Sequence, residues 1–286
     1  SKYYYCQFVS PDSDLLNIIR PTYTPRATDH IAEQIEQVQK LEALGYTYEI
    51  PGDGIYYDTS KFANYGALGG QNLSELCGGA RIDDTGKRQS TDFALWKFSP
   101  TNEKRQMEWD SPWGVGFPGW HAECSAMSMK LLGQHFDIHT GGEDLSRVHH
   151  ANEIAQSEPI TGTPWVSYWV HFSFLIDKSG AKMSKSAGEF LGMDAVRKRG
   201  YDPMAYRYLI TLGHYQTQLA FSFDALDAAA TGYKNIVRKV ADLMNSDNIG
   251  GLDSAVYNEW HDKILAPVSD NMKTAESLVV VQDLLK

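Results

Sequence analysis

Apolar positions in the first third of the chain change period where turn residues fall. Ile31, Ile35, Val38, Leu41 and Leu44 recur at helical spacing, which predicts a helix capped by Thr28 or Asp29 and stopped by Gly45. The runs 46–50 and 55–57 then flank Pro51-Gly52-Asp53-Gly54, a hairpin signal, because these turn residues supply the backbone angles of a tight reversal. Residues up to about Phe117 thus read as a small mixed insertion, and the glycine and proline positions at 116–119 mark the return to an α/β layer. In that layer a helix is predicted after His121 and another from His149 to Gln156. Strands are predicted at Phe136-Asp137-Ile138-His139 and at 168–172, as the second half of a parallel sheet. Asp202-Pro203 opens a helix with Tyr206, Leu209, Ile210 and Leu212 on its apolar side, and 221–239 begins another.

Composition narrows the class only a little. A chain of 286 residues is long enough for two or three cored domains. Three widely separated cysteines fit a reducing compartment better than a disulfide framework. No uninterrupted apolar run approaches the roughly 20 residues of a membrane span, and no signal-peptide pattern opens the sequence, so a membrane partner is not expected. The net charge of −10 would not suggest a nucleic acid by itself. A local basic face suffices, however, since phosphate contacts are screened over about 8–10 Å. Arg197, Lys198 and Arg199, with Lys234, Arg238 and Lys239, could form such a face, and a solvated helix surface is the plainer reading of each group.

Two stretches carry chemistry. Lys182-Met183-Ser184-Lys185-Ser186 sets two ammonium groups three positions apart between Gly180 and Gly188, a spacing suited to a pyrophosphate. A lysine on a flexible stem can follow the charge that builds on pyrophosphate when the α-phosphorus of ATP is attacked. An exposed basic loop is the plain alternative. Upstream, a helix would put His149 and Glu153 on one face at i, i+4, and Cys124 would come from a separate element. Thiolate, imidazole and carboxylate are ordinary zinc ligands, although the set is one short of a closed tetrahedron. On these three residues alone, a buried cysteine and a capped histidine pair is the simpler reading; His150 is a reserve ligand.

Taken in order, the segments Pro25–Ile31, Tyr65-Gly66 with Leu68-Gly69-Gly70, Asp92–Lys97, Trp109–Gly114, Gly119–Met127, Asp137–His139, Asn152–Glu158, the lysine-serine loop and Tyr206–Leu209 resemble the class I cysteinyl-tRNA synthetases over nearly the whole chain. The resemblance implies an α/β fold: the second half of a Rossmann-like class I synthetase catalytic domain, with a mixed α+β insertion and a C-terminal α-helical bundle. It implies four regions: 1–117 as lead-in helix and connective insertion, 118–176 as nucleotide-binding domain, 177–223 as lysine-serine loop and stem-contact region, and 224–286 as the start of a tRNA-binding bundle. The implied activity is ATP-dependent ligation of L-cysteine to tRNA(Cys) through cysteinyl-adenylate, with magnesium accompanying ATP, in a cytoplasmic monomer. By the same resemblance Cys124, His149 and Glu153 match three family zinc ligands, and zinc would select the substrate thiol over a serine hydroxyl. Trp120 and His121 match pocket residues around the cysteine, and Asp144 matches the residue that holds its ammonium. Lys182 and Lys185 match the catalytic lysines, with Met183, Ser184 and Lys185 at ATP.

The departures are equally specific. The family's fourth ligand, a cysteine near the start of its catalytic domain, and its His-Ile-Gly-His type signature have no match, and Cys6 lies in a segment that resembles a non-catalytic region. An N-terminal half outside this sequence or a split enzyme is expected ahead of a degenerate paralogue, and catalysis by this chain alone is not expected. Arg147-Val148 stand where the family usually has Phe-Pro, and Ala151 where it has an acid, which bears on the orientation of His149. A cysteine ligase acting on an amino sugar, a non-catalytic RNA-binding paralogue and a zinc hydrolase remain as alternatives.

Overall fold

The computed structural model describes residues 10–70, 86–183, 192–246, 251 and 253–286. They fall into two units, Thr22–His171, and Ser1–Pro21 with Phe172–Lys286. Helix α1 (Ser10–Leu15) belongs to the second unit.

In the first unit, α2 (Ile31–Ala43) follows the predicted stripe and ends where Gly45 takes φ +81°. Its start differs from expectation. Thr28 and Asp29 are used in a single 3₁₀ turn, Ala27–Asp29, and His30 flanks the helix without a side-chain cap. Gln34 ties this turn to the helix from the other side, donating from Nε2 to the carbonyls of Ala27 (2.9 Å) and His30 (3.0 Å). Gln34 and Gln37 therefore share the buried face with Val38 and Leu41, while Leu44 is exposed.

Strands β1 (Thr47–Ile50) and β2 (Gly54–Tyr57) form the predicted hairpin, with Ile50 opposite Gly54. β3 (Phe93–Phe98) and β4 (Gly116–Pro118) complete an antiparallel sheet in the order β1-β2-β3-β4. The 116–118 segment is thus the sheet's edge strand as well as its exit. Every residue of β2 is buried, as its central place requires, and Tyr57 and Trp96 are fully enclosed with Leu41, Leu95 and Ala155. A buried aromatic of this size removes roughly 150–250 Å² from water, about 4–6 kcal/mol of gross transfer free energy.

Helices α3 (Ala122–Leu132) and α4 (His149–Thr161) pack on one another and on α2. β5 (Phe136–Gly142) and β6 (Val166–Phe172) are hydrogen-bonded neighbours. The Phe136 N–H donates to the Trp165 carbonyl, tying the strands start to start with α4 as their crossover.

The second unit is built on α5 (Met193–Lys198), α6 (Pro203–Thr211) and α7 (Phe223–Met244), followed by the helix pair α8 (Ser254–Ser269) and α9 (Thr274–Leu284). Asp202 caps α6 as its position before proline predicts, its side chain accepting from Met204 N–H at 2.8 Å. The buried side of α6 is Ala205, Tyr208 and Leu209; Ile210 and Leu212, expected on the apolar side, are exposed. A short parallel pair, β7 (Leu175–Ile176) and β8 (Leu219–Ala220), lies beside this core. Among the described residues no helix is long and apolar enough to cross a membrane.

Candidate metal centre and nucleotide loop

The turn that leads into α3 is fixed by contact with β3. The Gly119 N–H donates to the Leu95 carbonyl at 2.8 Å, and a Cβ at Gly119 would lie 1.8 Å from the Ala94 carbonyl oxygen. Only glycine permits that approach. Two residues later His121 takes φ +93°, a conformation that costs a non-glycine residue roughly 1–3 kcal/mol. The strained turn aims the buried His121 ring at α4, with its Nδ1 2.6 Å from Nδ1 of His149. Trp120 lies against the same ring at a centroid separation of 4.5 Å, yet is 60% exposed, so it is no core residue.

On α4, His149 and Glu153 face the same way one turn apart, with Nε2 and Oε1 separated by 3.5 Å. Cys124, on the first turn of α3, completes the expected group: its thiol, the His149 ring and the Glu153 carboxylate offer atoms all within 4.8 Å of one another. Zinc–ligand bonds of about 2.0–2.3 Å would bring such atoms to roughly 3.3–3.8 Å, a modest contraction. The decisive feature is Glu153. Its side chain is 0% exposed and neither oxygen has an aligned N–H or O–H donor, the Cys124 thiol lying against it instead. His139 Nε2 is 3.1 Å from Oε2 but lacks the alignment of a hydrogen bond. A carboxylate buried without such donors is costly unless a cation sits beside it, so the donor set fits zinc. Burial pushes the Cys124 thiol up to about 12, with the Glu153 and Glu123 carboxylates adding to the effect.

A second group was not anticipated. His139 and His150 meet Glu153 from the side opposite His149, also within 4.8 Å, and His150 Nδ1 lies 2.8 Å from His171 Nε2. Gly141 makes room for this packing, since a Cβ there would come 2.7 Å from the His150 ring. Burial and neighbouring imidazoles hold His121 and His150 down to about 3, so both rings are neutral at physiological pH. The sequence signal was present but diffuse: His139 and His171 sit within strand segments, where a histidine reads as ordinary packing.

Asp144 lies in a 3₁₀ turn, Glu143–Leu145, just after β5, as predicted, and is exposed. In the other unit, the Asp177 carboxylate accepts from the Ser179 and Ala181 backbone N–H groups, and Gly180 takes φ +85°. Lys182 is bridged to Ile176, and its Nζ stands 3.4 Å over the Phe174 ring. Met183 N–H donates to the Leu175 carbonyl. Ser184, Lys185 and Ser186 lie outside the described residues. Arg197, Lys198 and Arg199 are exposed at the end of α5, and Lys234, Arg238 and Lys239 lie along α7.

The fold is that of class I synthetase catalytic domains. Mycobacterium tuberculosis methionyl-tRNA synthetase in complex with methionyl-adenylate superimposes with a TM-score of 0.62 at 15% identity, covering 97% of this chain and 67% of that one. Within this class the chain belongs to the family of tRNA synthetases class I (C) catalytic domain, whose model matches residues 2–231. It is 46% identical to Cysteine–tRNA ligase 1 of Burkholderia lata over 275 residues, covering 96% of this chain and 57% of that protein. It is 43% identical to Cysteine–tRNA ligase of Treponema denticola over 303 positions, covering 99% of this chain and 61% of that protein. The chain thus spans about three fifths of the length of these curated relatives.

Proposed function

We propose that this chain is the metal-centre and lysine-loop portion of a cysteine–tRNA ligase, which activates L-cysteine with ATP and transfers it to tRNA(Cys). The observation that carries the reading is the buried carboxylate of Glu153, with no aligned N–H or O–H donor, beside Cys124 and His149, in a chain of this synthetase family. These three residues would hold zinc, which, when bound, supplies a Lewis acid soft enough to prefer a thiolate to a hydroxyl. His121 and the exposed Trp120 form a wall beside that centre, and Asp144 offers a carboxylate for the substrate ammonium. In the activation step the cysteine carboxylate attacks the α-phosphorus of ATP and pyrophosphate leaves. Lys182 and Lys185, with Met183 and Ser184, would hold the ATP phosphates, magnesium accompanying the nucleotide, and neutralise charge on the leaving group.

The regions 1–117, 118–176, 177–223 and 224–286 correspond in this reading to insertion, catalytic half, lysine loop with stem contact, and tRNA-binding helices. Arg197, Lys198 and Arg199 at the end of α5, and Lys234 and Arg238 with the half-buried Lys239 on α7, are the proposed phosphate contacts. A cytoplasmic, reducing compartment suits the cysteine usage, and a monomer completes the reading. The test is cysteine-dependent ATP–pyrophosphate exchange by the full-length protein, with zinc measured on the same sample. Lys185→Ala should depress exchange by roughly two to three orders of magnitude while cysteine binding is kept. Equal losses in both would overturn the assignment, and transfer of activated cysteine to an amino sugar in place of tRNA, with release of AMP, would redirect it.

A further inference from the structure

A buried relay runs from α4 back to the strained turn at His121. The Ser125 hydroxyl lies 3.0 Å from the His121 carbonyl oxygen and 2.5 Å from the Gln156 side-chain oxygen, and both Ser125 and Gln156 are 0% exposed. One hydroxyl carries one proton, so it cannot donate to both. Gln156 Nε2, meanwhile, is buried with no partner. Turning the Gln156 amide over resolves the double donation and gives Nε2 an acceptor, because oxygen and nitrogen in an amide are interchangeable in shape. The amide N–H then donates to Ser125 Oγ, and Ser125 donates to the His121 carbonyl.

The direction of this relay bears on His149. Its Nδ1 faces Nδ1 of His121 at 2.6 Å, and its Nε2 faces Glu153 at 3.5 Å. If Nε2 is the ligating atom it must be bare, so the ring proton sits on Nδ1 and is donated to a bare Nδ1 of His121. That bond depends on where the His121 backbone, at φ +93°, places the ring; its carbonyl accepts from the Ser125 backbone N–H at 3.3 Å and is fixed further by the Ser125 hydroxyl.

We propose that Ser125 and Gln156 are positioning residues of the metal centre: they clamp the His121 carbonyl and so set the tautomer and direction of the His149 ring. The proposal rests on the reading of Cys124, His149 and Glu153 as metal ligands. Neither residue touches substrate or metal; both act through His121.

The test is cobalt titration of the full-length protein, followed through thiolate-to-cobalt and ligand-field absorption. Ser125→Ala removes a single oxygen from a helix, so it should fold, and a urea midpoint on the metal-free protein checks this. Ser125→Ala and Gln156→Met should each weaken cobalt binding on the order of tenfold, the effect of losing an outer partner of a ligand. In a His121→Ala background neither substitution should weaken it further, because the imidazole through which they act on His149 is gone. The same substitutions should abolish the exchange-protected His149 ring N–H proton in spectra of the zinc-loaded protein. Unchanged affinity with a retained N–H signal, or equal losses with and without His121, would overturn the relay. Absence of any cobalt absorption that depends on Cys124 would overturn the metal reading itself, a different outcome from the first two.

Discussion

Replacing Glu153 with glutamine keeps the side chain's shape and removes one buried charge, so its effect should reverse sign with metal. The carboxylate is fully enclosed, with no N–H or O–H donor aligned to it. A buried unsatisfied group costs about 1–3 kcal/mol, and a charged one more, while the His139 ring at 3.1 Å offsets part of this. Glu153→Gln should therefore stabilise the chelator-treated protein by about 1–3 kcal/mol, raising Tm by roughly 2–4 °C per kcal/mol. With zinc the comparison inverts. Ligand binding adds RT ln(1 + [L]/Kd), so each tenfold loss of affinity removes about 1.4 kcal/mol. A neutral amide is a poor zinc ligand, and a loss of three or more decades, about 4 kcal/mol or more, would exceed the gain in the metal-free state. Thermal unfolding of both proteins in chelator and in excess zinc is the assay. Wild type should show the larger zinc-induced rise in Tm and Glu153→Gln the higher Tm in chelator. If the variant is less stable in both conditions, or zinc raises both equally, the inference from the buried carboxylate is wrong.

Other substitutions probe the scaffold. Gly119→Ala would drive a methyl into the Ala94 carbonyl and should destabilise the first unit by about 3 kcal/mol, read from urea unfolding, with zinc affinity falling as the His121 turn shifts. Asp202→Ala removes the cap of α6 and should cost about 0.5–2 kcal/mol in the same measurement, leaving zinc affinity unchanged. At Asp58, burial raises the carboxyl, but hydrogen bonds from Ser60 and from Arg88 at 3.0 Å outweigh it and leave its pKa below the ordinary range. A folded-state pKa below the unfolded one stabilises above about pH 4, and that contribution is lost as pH falls through the folded value. Arg88→Ala raises the folded value, so acid unfolding of the β-sheet unit, followed by tryptophan fluorescence, should begin at a higher pH.

The elements with local signals were legible in the chain: the helix stop at Gly45, the hairpin at 51–54, the Asp202 cap before Pro203 and the i, i+4 pairing of His149 with Glu153. Each depends on residues within one turn of one another, so sequence spacing is already geometry. Misread positions were those where a distant partner overrides a local rule. Thr28 and Asp29 are good caps, but the chain enters α2 through a 3₁₀ turn whose carbonyls are tied down by the Gln34 amide. Ile210 and Leu212 are apolar and yet exposed, because the packed side of α6 is fixed by Tyr208 and Leu209.

The sequence alone determined which chemistries this protein has at hand: a thiol, a histidine-carboxylate pair on one helix face, a lysine-serine loop and the order of segments that marks the family. It could not determine that Cys124, on another helix, reaches His149 and Glu153, nor that the carboxylate is left without an aligned N–H or O–H donor. Those are properties of α3 packing on α4, and they set the cost of the buried charge. The tertiary structure also decided the backbone of His121, where a positive φ is held by β3 beneath Gly119 and by the Ser125 hydroxyl above it. No run of residue types encodes that conformation, because its energy is unfavourable locally and is met only by contacts that exist once the chain has folded.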